Sequence, residues 1–422
     1  MEFQQKQEEQ QLIAGLPNDI ALDCLIRVPY QFHSCMKSVC HTWQSLISHP
    51  SFYQERRKSA TSEQILCLVQ PLPAVDSTEP SNGGFATGRT TEKEEEEGRK
   101  RQRPQQNING TPQYALSIYN ATHNLWQRTR PKDGIPIFCQ CLTFQSSGKI
   151  LLLGGWDPTT LEPVRDVYIL DLIGETAGKW RRGAPMKAAR SFFACAVVGE
   201  YTVYVAGGHD GRKNALKSAE MYNVDRDEWT TLPDMIEERD ESQGLAWEGD
   251  SRFWVVSGYE SESQGQFRSD AECYDPVTGM WSRVDEVWPF GSSSPRGANV
   301  PVCFSNNVKT RENEWWWVLG GEQLRQSREG IEKGTDQKLR VSSVVAVPDW
   351  ISGTTLCATG LGCSKHKSNH RVFVMGCAAC GECDGGAFIV DVDDKRGSSK
   401  WNHVHTPSGF SKFPYSASYL SV

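Results

Sequence analysis

Three stretches decide how this chain is read: Tyr119-Asn-Ala-Thr-His-Asn-Leu-Trp126, Tyr222-Asn-Val-Asp-Arg-Asp-Glu-Trp229 and Tyr274-Asp-Pro-Val-Thr-Gly-Met-Trp281. Each sets an Asn/Asp/Gly-type turn between two short β-prone runs, the composition of a hairpin. The same inner spacing three times over marks a repeated unit. One such unit cannot bury its own apolar faces, so only a stack of them makes a core.

The period can be measured on two independent markers. Pairs ending in Gly close apolar runs at Leu153-Gly-Gly155, Ala206-Gly-Gly208, Ser257-Gly258, Leu319-Gly-Gly321 and Met375-Gly376, in steps of 53, 50, 63 and 55 residues. Trp126, Trp180, Trp229, Trp281, Trp350 and Trp401 step by 54, 49, 52, 69 and 51. Both give about fifty residues per unit, a propeller-blade period. Lys149–Leu153 and Thr202–Val205 are short and nearly continuous apolar runs, as expected of strands covered on both faces. The glycine after each lets the backbone take positive φ and pass close to a neighbouring unit. Asp166–Leu170 and Ser218–Tyr222 read as third strands, with Tyr and Trp packing between units.

This Gly-Gly, Tyr, Trp order, with Pro-to-Arg phrases after the Trp (Pro185 to Arg190, Pro233 to Arg239, Pro295-Arg296), resembles kelch repeats. The resemblance implies a mainly β fold, a kelch β-propeller over residues 65–422, with six blades to match six tryptophans and five glycine pairs. Ile65–Val69 is expected as an inner strand of the first blade, and the β-prone tail Tyr415–Val422 as the strand that closes the ring and removes its edges.

Residues 12–58 are different. Ile20, Leu25 and Ile26, then Met36, Val39, Cys40, Trp43, Leu46 and Ile47 fall at helical spacing, with Asn18 or Asp19 placed to cap the first helix. A helical module this small is short of core and gains from a partner. Leu16-Pro17-Asn-Asp19-Ile20, Cys24–Pro29, Ser38-Val39-Cys40-His-Thr-Trp43 and Ser51-Phe52-Tyr53 resemble the F-box in order and distance. The resemblance implies docking onto the Skp-type adaptor of an SCF ubiquitin ligase, with the cullin-RING core as a further partner. Leu16, Pro17, Ile20, Leu25, Val39 and Trp43 would be buried against the adaptor, while the propeller holds the protein substrate.

Arg190-Ser-Phe-Phe-Ala-Cys195, Ala206-Gly-Gly-His-Asp210, Lys213-Asn-Ala215, Leu232-Pro-Asp-Met235, Glu238-Arg-Asp-Glu241 and Gly265-Gln-Phe267 resemble plant F-box/kelch proteins that control phenylalanine ammonia-lyase turnover. That group is also linked to type-B response regulators of cytokinin signalling. On this resemblance the target is the lyase, and the role is negative control of phenylpropanoid metabolism through ubiquitination and proteasomal degradation. The expected substrate surface is the loop face: Arg190, Arg239 and Arg296 after the Trp strands, and Trp156, His209, Asp210 and Tyr259 after the glycine pairs. An arginine at such a place can equally brace a loop through backbone carbonyls.

Composition agrees with a cytoplasmic or nuclear interaction protein. No apolar stretch is long enough to span a bilayer as a helix, and the polar start lacks the apolar core of a signal peptide. Fourteen cysteines without a secretory signal argue for reduced thiols. A net charge of -7 gives no general case for nucleic-acid binding. Residues 71–112 read as a disordered insertion in the first blade, rich in Pro, Ser, Gly and charge; the basic run from Arg99 to Arg103 is a candidate nuclear-import signal.

Two constellations could carry chemistry. Cys377-Ala-Ala-Cys380-Gly-Glu-Cys383, with Cys363 and His366 upstream, has the spacing of a zinc or iron-sulfur site, although its second ligand pair is loose and free thiols in a Gly-rich turn fit as well. Some kelch propellers are copper oxidases or iron-dependent specifier proteins, and His123, His209 and His403 lie in different repeats that a common axis could bring together. No sequence spacing couples them, so the expectation is a non-catalytic receptor with no cofactor and no metal.

Overall fold

The computed structural model describes residues 11–73, 113–246, 250–288, 294–296, 302–304, 314–319, 343–346, 356–361, 370–376, 386–393 and 398–422. Four helices come first: α1 (Asn18–Leu25), α2 (His33–Lys37), α3 (His41–Ser48) and α4 (Pro50–Lys58). Neither Asn18 nor Asp19 caps α1. Pro17 holds the cap position, and Asn18 Oδ1 instead accepts from the Leu12 N–H at 2.9 Å.

The strands follow in chain order. The first blade holds β1 (Gln64–Pro71), β2 (Tyr114–Asn120) and β3 (Leu125–Thr129). The second is β4 (Gln140–Phe144), β5 (Lys149–Leu153), β6 (Val167–Asp171) and β7 (Trp180–Arg182), and the third β8 (Ala194–Val198), β9 (Thr202–Ala206), β10 (Ala219–Asn223) and β11 (Glu228–Leu232). The fourth is β12 (Gln243–Leu245), β13 (Phe253–Val256), β14 (Ala271–Asp275) and β15 (Met280–Val284). Then come β16 (Val302–Phe304), β17 (Glu314–Leu319) and β18 (Ser343–Ala346), the four-stranded blade β19 (Leu356–Leu361), β20 (His370–Gly376), β21 (Ala387–Asp393) and β22 (Ser398–Val404), and finally β23 (Ser416–Ser421).

The repeated phrase is the outer hairpin of a blade. Tyr119 pairs with Trp126 across β2 and β3, Tyr222 with Trp229 across β10 and β11, and Tyr274 with Trp281 across β14 and β15. Two of these pairs stack, with ring centroids 4.4 Å apart for Tyr119/Trp126 and 4.8 Å for Tyr222/Trp229. Two residues before each Trp stands a residue of left-handed φ, Asn124, Asp227 and Gly279, which is why the turn is written in Asn, Asp and Gly. Each indole N–H then reaches back to the preceding blade: Trp229 to Ala184 O at 2.7 Å, Trp281 to Pro233 O at 2.8 Å and Trp126 to His405 O at 3.2 Å.

The glycine pairs answer to close approach. A methyl group on Gly207 would strike the Arg239 carbonyl oxygen, and one on Gly155 the Ile137 carbonyl oxygen, so each pair lies directly on the backbone of the loops leading into blades.

Among the described residues five sheets are four-stranded antiparallel blades, where six were expected. The remaining sheet has three described strands, and its third, β18, runs parallel to β17. The spacing of glycines and tryptophans stretches at this same point, where the chain departs from the simple meander. The tail closes the ring as expected: β23 pairs antiparallel with β1, from Gln64 opposite Ser421 to Val69 opposite Ser416. One detail is corrected. β1 is not the inner strand; β23 takes that place, and it packs between the inner strands β19 and β4.

The helical module and the propeller share one apolar core. Leu25, Ile26, Met36, Ile47, Phe52 and Tyr53 cluster with Ile65, Cys67 and Val69 of β1 and with Leu172 and Ile173 of the second blade. Tyr30 Oη donates to Leu172 O at 3.0 Å, Lys37 Nζ to Gly174 O at 2.6 Å and Arg57 Nη1 to Gln145 O at 2.5 Å. The acceptors lie in the β4–β5 and β6–β7 turns. The helices therefore sit on the propeller face opposite the loops that follow the glycine pairs.

Candidate functional site

Two surfaces qualify, one at each end. On the helical module Ile20 is 50% exposed and Val39 63%, and with exposed Pro17, half-buried Leu16 and exposed Phe32 they leave apolar groups in water that the module's own core does not use. The other expected contacts fall differently. Leu25 is buried in the shared core, and Trp43 is half-buried with its indole N–H donated to Leu12 O at 2.7 Å. Helical periodicity cannot separate the inward stripe from an outward one on so short a helix. Phe32, which no motif singled out, joins the exposed set.

On the loop face the arginines divide into two kinds. Arg190 and Arg239 are both 0% exposed, which corrects their assignment to a substrate surface. Arg190 donates to Gly207 O and Ser218 O, each at 2.9 Å, and to Glu220 Oε1 at 2.9 Å. Arg239 does the same one blade on, to Ser257 O at 2.9 Å, Asp270 Oδ1 at 3.1 Å and Glu272 Oε1 at 2.9 Å. Glu220 also accepts the Lys187 and Ala188 N–H groups, and Glu272 those of Ile236 and Glu237. Each buried ion pair thus holds the loop that leads into a blade against that blade's third strand, where its hydrogen bonds offset the cost of burying both charges. The signal was in the sequence: Ala219-Glu220-Met-Tyr222 and Ala271-Glu272-Cys-Tyr274 repeat a carboxylate inside an apolar strand.

Arg296 behaves otherwise. It is half-buried, and its guanidinium spans the channel mouth, donating to Phe193 O at 2.7 Å, Ser242 O at 3.1 Å and Tyr415 Oη at 2.9 Å. Around it Phe138, Trp156, Phe192, His209 and Tyr415 form a continuous set of ring contacts with centroids 5.1–6.0 Å apart, drawn from loops of the second and third blades and from the closing tail. Trp156 and Asp210 remain partly exposed, Asp210 shaping its loop by accepting the Arg212 and Asn214 N–H groups. His209 and Tyr259 are buried, contrary to their expected role as contacts. His209 Nδ1 lies 2.8 Å from Asp240 Oδ2, and Tyr259 Oη donates to Glu241 Oε1 at 3.3 Å. They support the surface from below.

The three histidines of the catalytic alternative are not brought together. His209 is at the mouth, His123 lies in the β2–β3 turn near Glu63, and His403 packs on Phe388 in the outer part of the last blade. Among the described residues no group of three His, Cys, Asp or Glu could hold a metal ion. Cys363, His366, Cys377, Cys380 and Cys383 lie outside the described residues, as do residues 74–112 with the basic run from Arg99 to Arg103.

A ring of blades closed by its own tail, joined to a small helical module with an exposed apolar face, defines a β-propeller protein with an appended helical domain. The F-box domain model matches residues 13–55 and the Kelch motif model residues 189–236. The F-box/kelch-repeat protein SKIP20 of Arabidopsis thaliana is 45% identical over 97% of this chain and 97% of its own length. F-box/kelch-repeat proteins At2g44130 and At1g80440 of the same plant are 43% identical over 100% of this chain and 97% of their protein, and 33% over 74% and 81%. The chain belongs to the F-box/kelch-repeat family of plant proteins.

Proposed function

We propose that this chain is the substrate-recognition subunit of an SCF-type E3 ubiquitin ligase. Residues 12–58 dock on the Skp-type adaptor through Leu16, Pro17, Ile20, Phe32 and Val39, and residues 65–422 carry the target on the loop face. The observation that carries this reading is the placement of the exposed apolar helical surface and the channel mouth on opposite sides of one shared core. Such an arrangement holds a target at a fixed orientation to the adaptor, so the chain supplies proximity and other subunits transfer ubiquitin. The target is phenylalanine ammonia-lyase, or a type-B response regulator, on the resemblance of residues 185–275, and the place of action is cytoplasm or nucleus.

Affinity capture of the full chain from plant cells with the proteasome blocked tests the reading. Recovery of adaptor, cullin and lyase is the expected result. Absence of adaptor and cullin, or a copper-dependent oxidase activity in the pure chain, overturns it.

A further inference from the structure

The mouth of the channel is built at a conformational cost. Phe138 and Phe192 occupy the same place in successive blades, two residues before the inner strands β4 and β8, and both hold left-handed φ, 59° and 55°. Glu241 holds φ 51° at the same place before β12. Non-glycine residues in this region are strained and persist only where surrounding structure imposes them. Here the strain aims two phenyl rings at the opening, where they meet Trp156 and Tyr415 and stay partly exposed.

Two cations border these rings. Lys213 Nζ lies 3.6 Å above the Trp156 ring and 3.2 Å from His209 Nε2, and the Arg296 guanidinium lies 5.8 Å from Phe192 and 5.6 Å from Tyr415. Neither cation forms a salt bridge among the described residues, although the Asp240 carboxylate favours the charged form of Lys213; Arg212 and Lys217 on the same loop are exposed, and the Arg212 charge acts on Asp210. Of the nearby carboxylates, Glu237, Glu260 and Asp270 pair with Arg268 and Arg283 and Asp240 faces His209, while Asp210 and Glu241 are held by neutral donors, Asp210 by its own loop and Glu241 by the Tyr259 hydroxyl, and keep their charge. Because the aromatic faces already carry the chain's own cations, a cationic ligand would meet repulsion, whereas an anion beside an apolar group finds both its requirements met.

We infer that the channel mouth docks an acidic segment of a partner protein, with an aromatic or aliphatic side chain set on Phe138, Trp156 and Phe192 and a neighbouring carboxylate drawn to Lys213 and Arg296. This deepens the receptor reading above by giving the chemical class of the target segment. It replaces the buried Arg190 and Arg239 with exposed Lys213 and half-buried Arg296.

The test is a phage-displayed library of random twelve-residue peptides panned on the full chain in complex with the Skp-type adaptor, followed by affinity measurement of the most enriched peptide. The expected consensus joins Asp or Glu to an aromatic or aliphatic residue within three positions. Binding should fall at least tenfold in Lys213→Glu and in Trp156→Ala, and weaken with salt, while the melting temperature of Lys213→Glu, altered at an exposed side chain, stays within a few degrees. A basic or charge-free consensus, no enrichment over an uncoated surface, or enriched peptides indifferent to Lys213→Glu overturns the inference. If adaptor complex forms but peptides fail, only this inference falls; if the adaptor is not bound at all, the receptor reading falls with it.

Discussion

Arg56 and Glu63 join the two parts of the molecule: Arg56 Nη2 lies 2.7 Å from Glu63 Oε1, with both side chains buried between the last helix and the first strand. Arg56 Nη1 also donates to Ile26 O and Val28 O at 2.6 and 2.7 Å, and Glu63 accepts the Tyr30 N–H at 2.5 Å and Asn120 Nδ2 at 2.5 Å. The helices and the first blade are thereby held in one register.

Removing half of that pair leaves a buried charge unpaired, a loss of about 3–5 kcal/mol. Arg56→Ala should lower the denaturant midpoint by a corresponding amount. In a double-mutant cycle the Arg56→Ala, Glu63→Ala protein should lose clearly less than the sum of the single changes.

At the adaptor end, Ile20→Asp with Val39→Asp places charge in the centre of the proposed contact. Adaptor affinity should fall at least ~30-fold, equivalent to about 2 kcal/mol at a hot spot. The melting temperature should barely move, because both side chains are already half or more exposed. Isothermal titration with purified adaptor measures the first and calorimetry the second.

Arg190 and Lys213 should separate stability from capture. Arg190→Ala strands the Glu220 carboxylate inside the third blade and should cost several kcal/mol of stability. Lys213→Ala should leave stability within about 0.5 kcal/mol, as surface changes do, and act on target binding. Thermal melts of both variants beside a pull-down of the target read out the difference.

Deleting residues 416–422 removes β23 and exposes the edge of β1. Blades in an open array retain only neighbour contacts, so unfolding should lose cooperativity and the chain should associate through the new edge. Light scattering and the width of the melting transition report both.

His33 sets a pH dependence in the helical module. Burial, aided by the Arg56 charge, lowers its pKa from the usual 6.5 to about 4. Its two ring nitrogens meet Tyr53 Oη at 3.2 Å and Val28 O at 3.1 Å. Between pH 6.5 and 4 the unfolded chain takes up a proton that the folded chain refuses, so this contribution is full above pH 6.5 and lost as pH falls to about 4. Over that window the loss is about 3 kcal/mol. His33→Asn should be less stable at pH 7 yet show a shallower decline on acidification, followed by urea unfolding across the range.

Much of this was written locally. The Tyr-to-Trp phrase dictates the outer hairpin because its turn residues accept left-handed φ and its rings meet across two paired strands; Tyr222 and Trp229 could do little else. The F-box order from Leu16 to Tyr53 and the β-prone tail were legible for the same reason, since spacing and strand propensity are properties of short segments. Tertiary structure alone decided which arginines are buried: Arg190 and Arg296 follow similar Pro-to-Arg phrases, yet one folds back on Glu220 and the other crosses to Tyr415. It also decided that Leu25 faces inward while Ile20 faces water, and that Phe138, Phe192 and Tyr415, far apart in the chain, share one opening. Such choices depend on what lies across a blade or a ring, and closure of the ring brings those neighbours from distances in sequence that no local pattern spans.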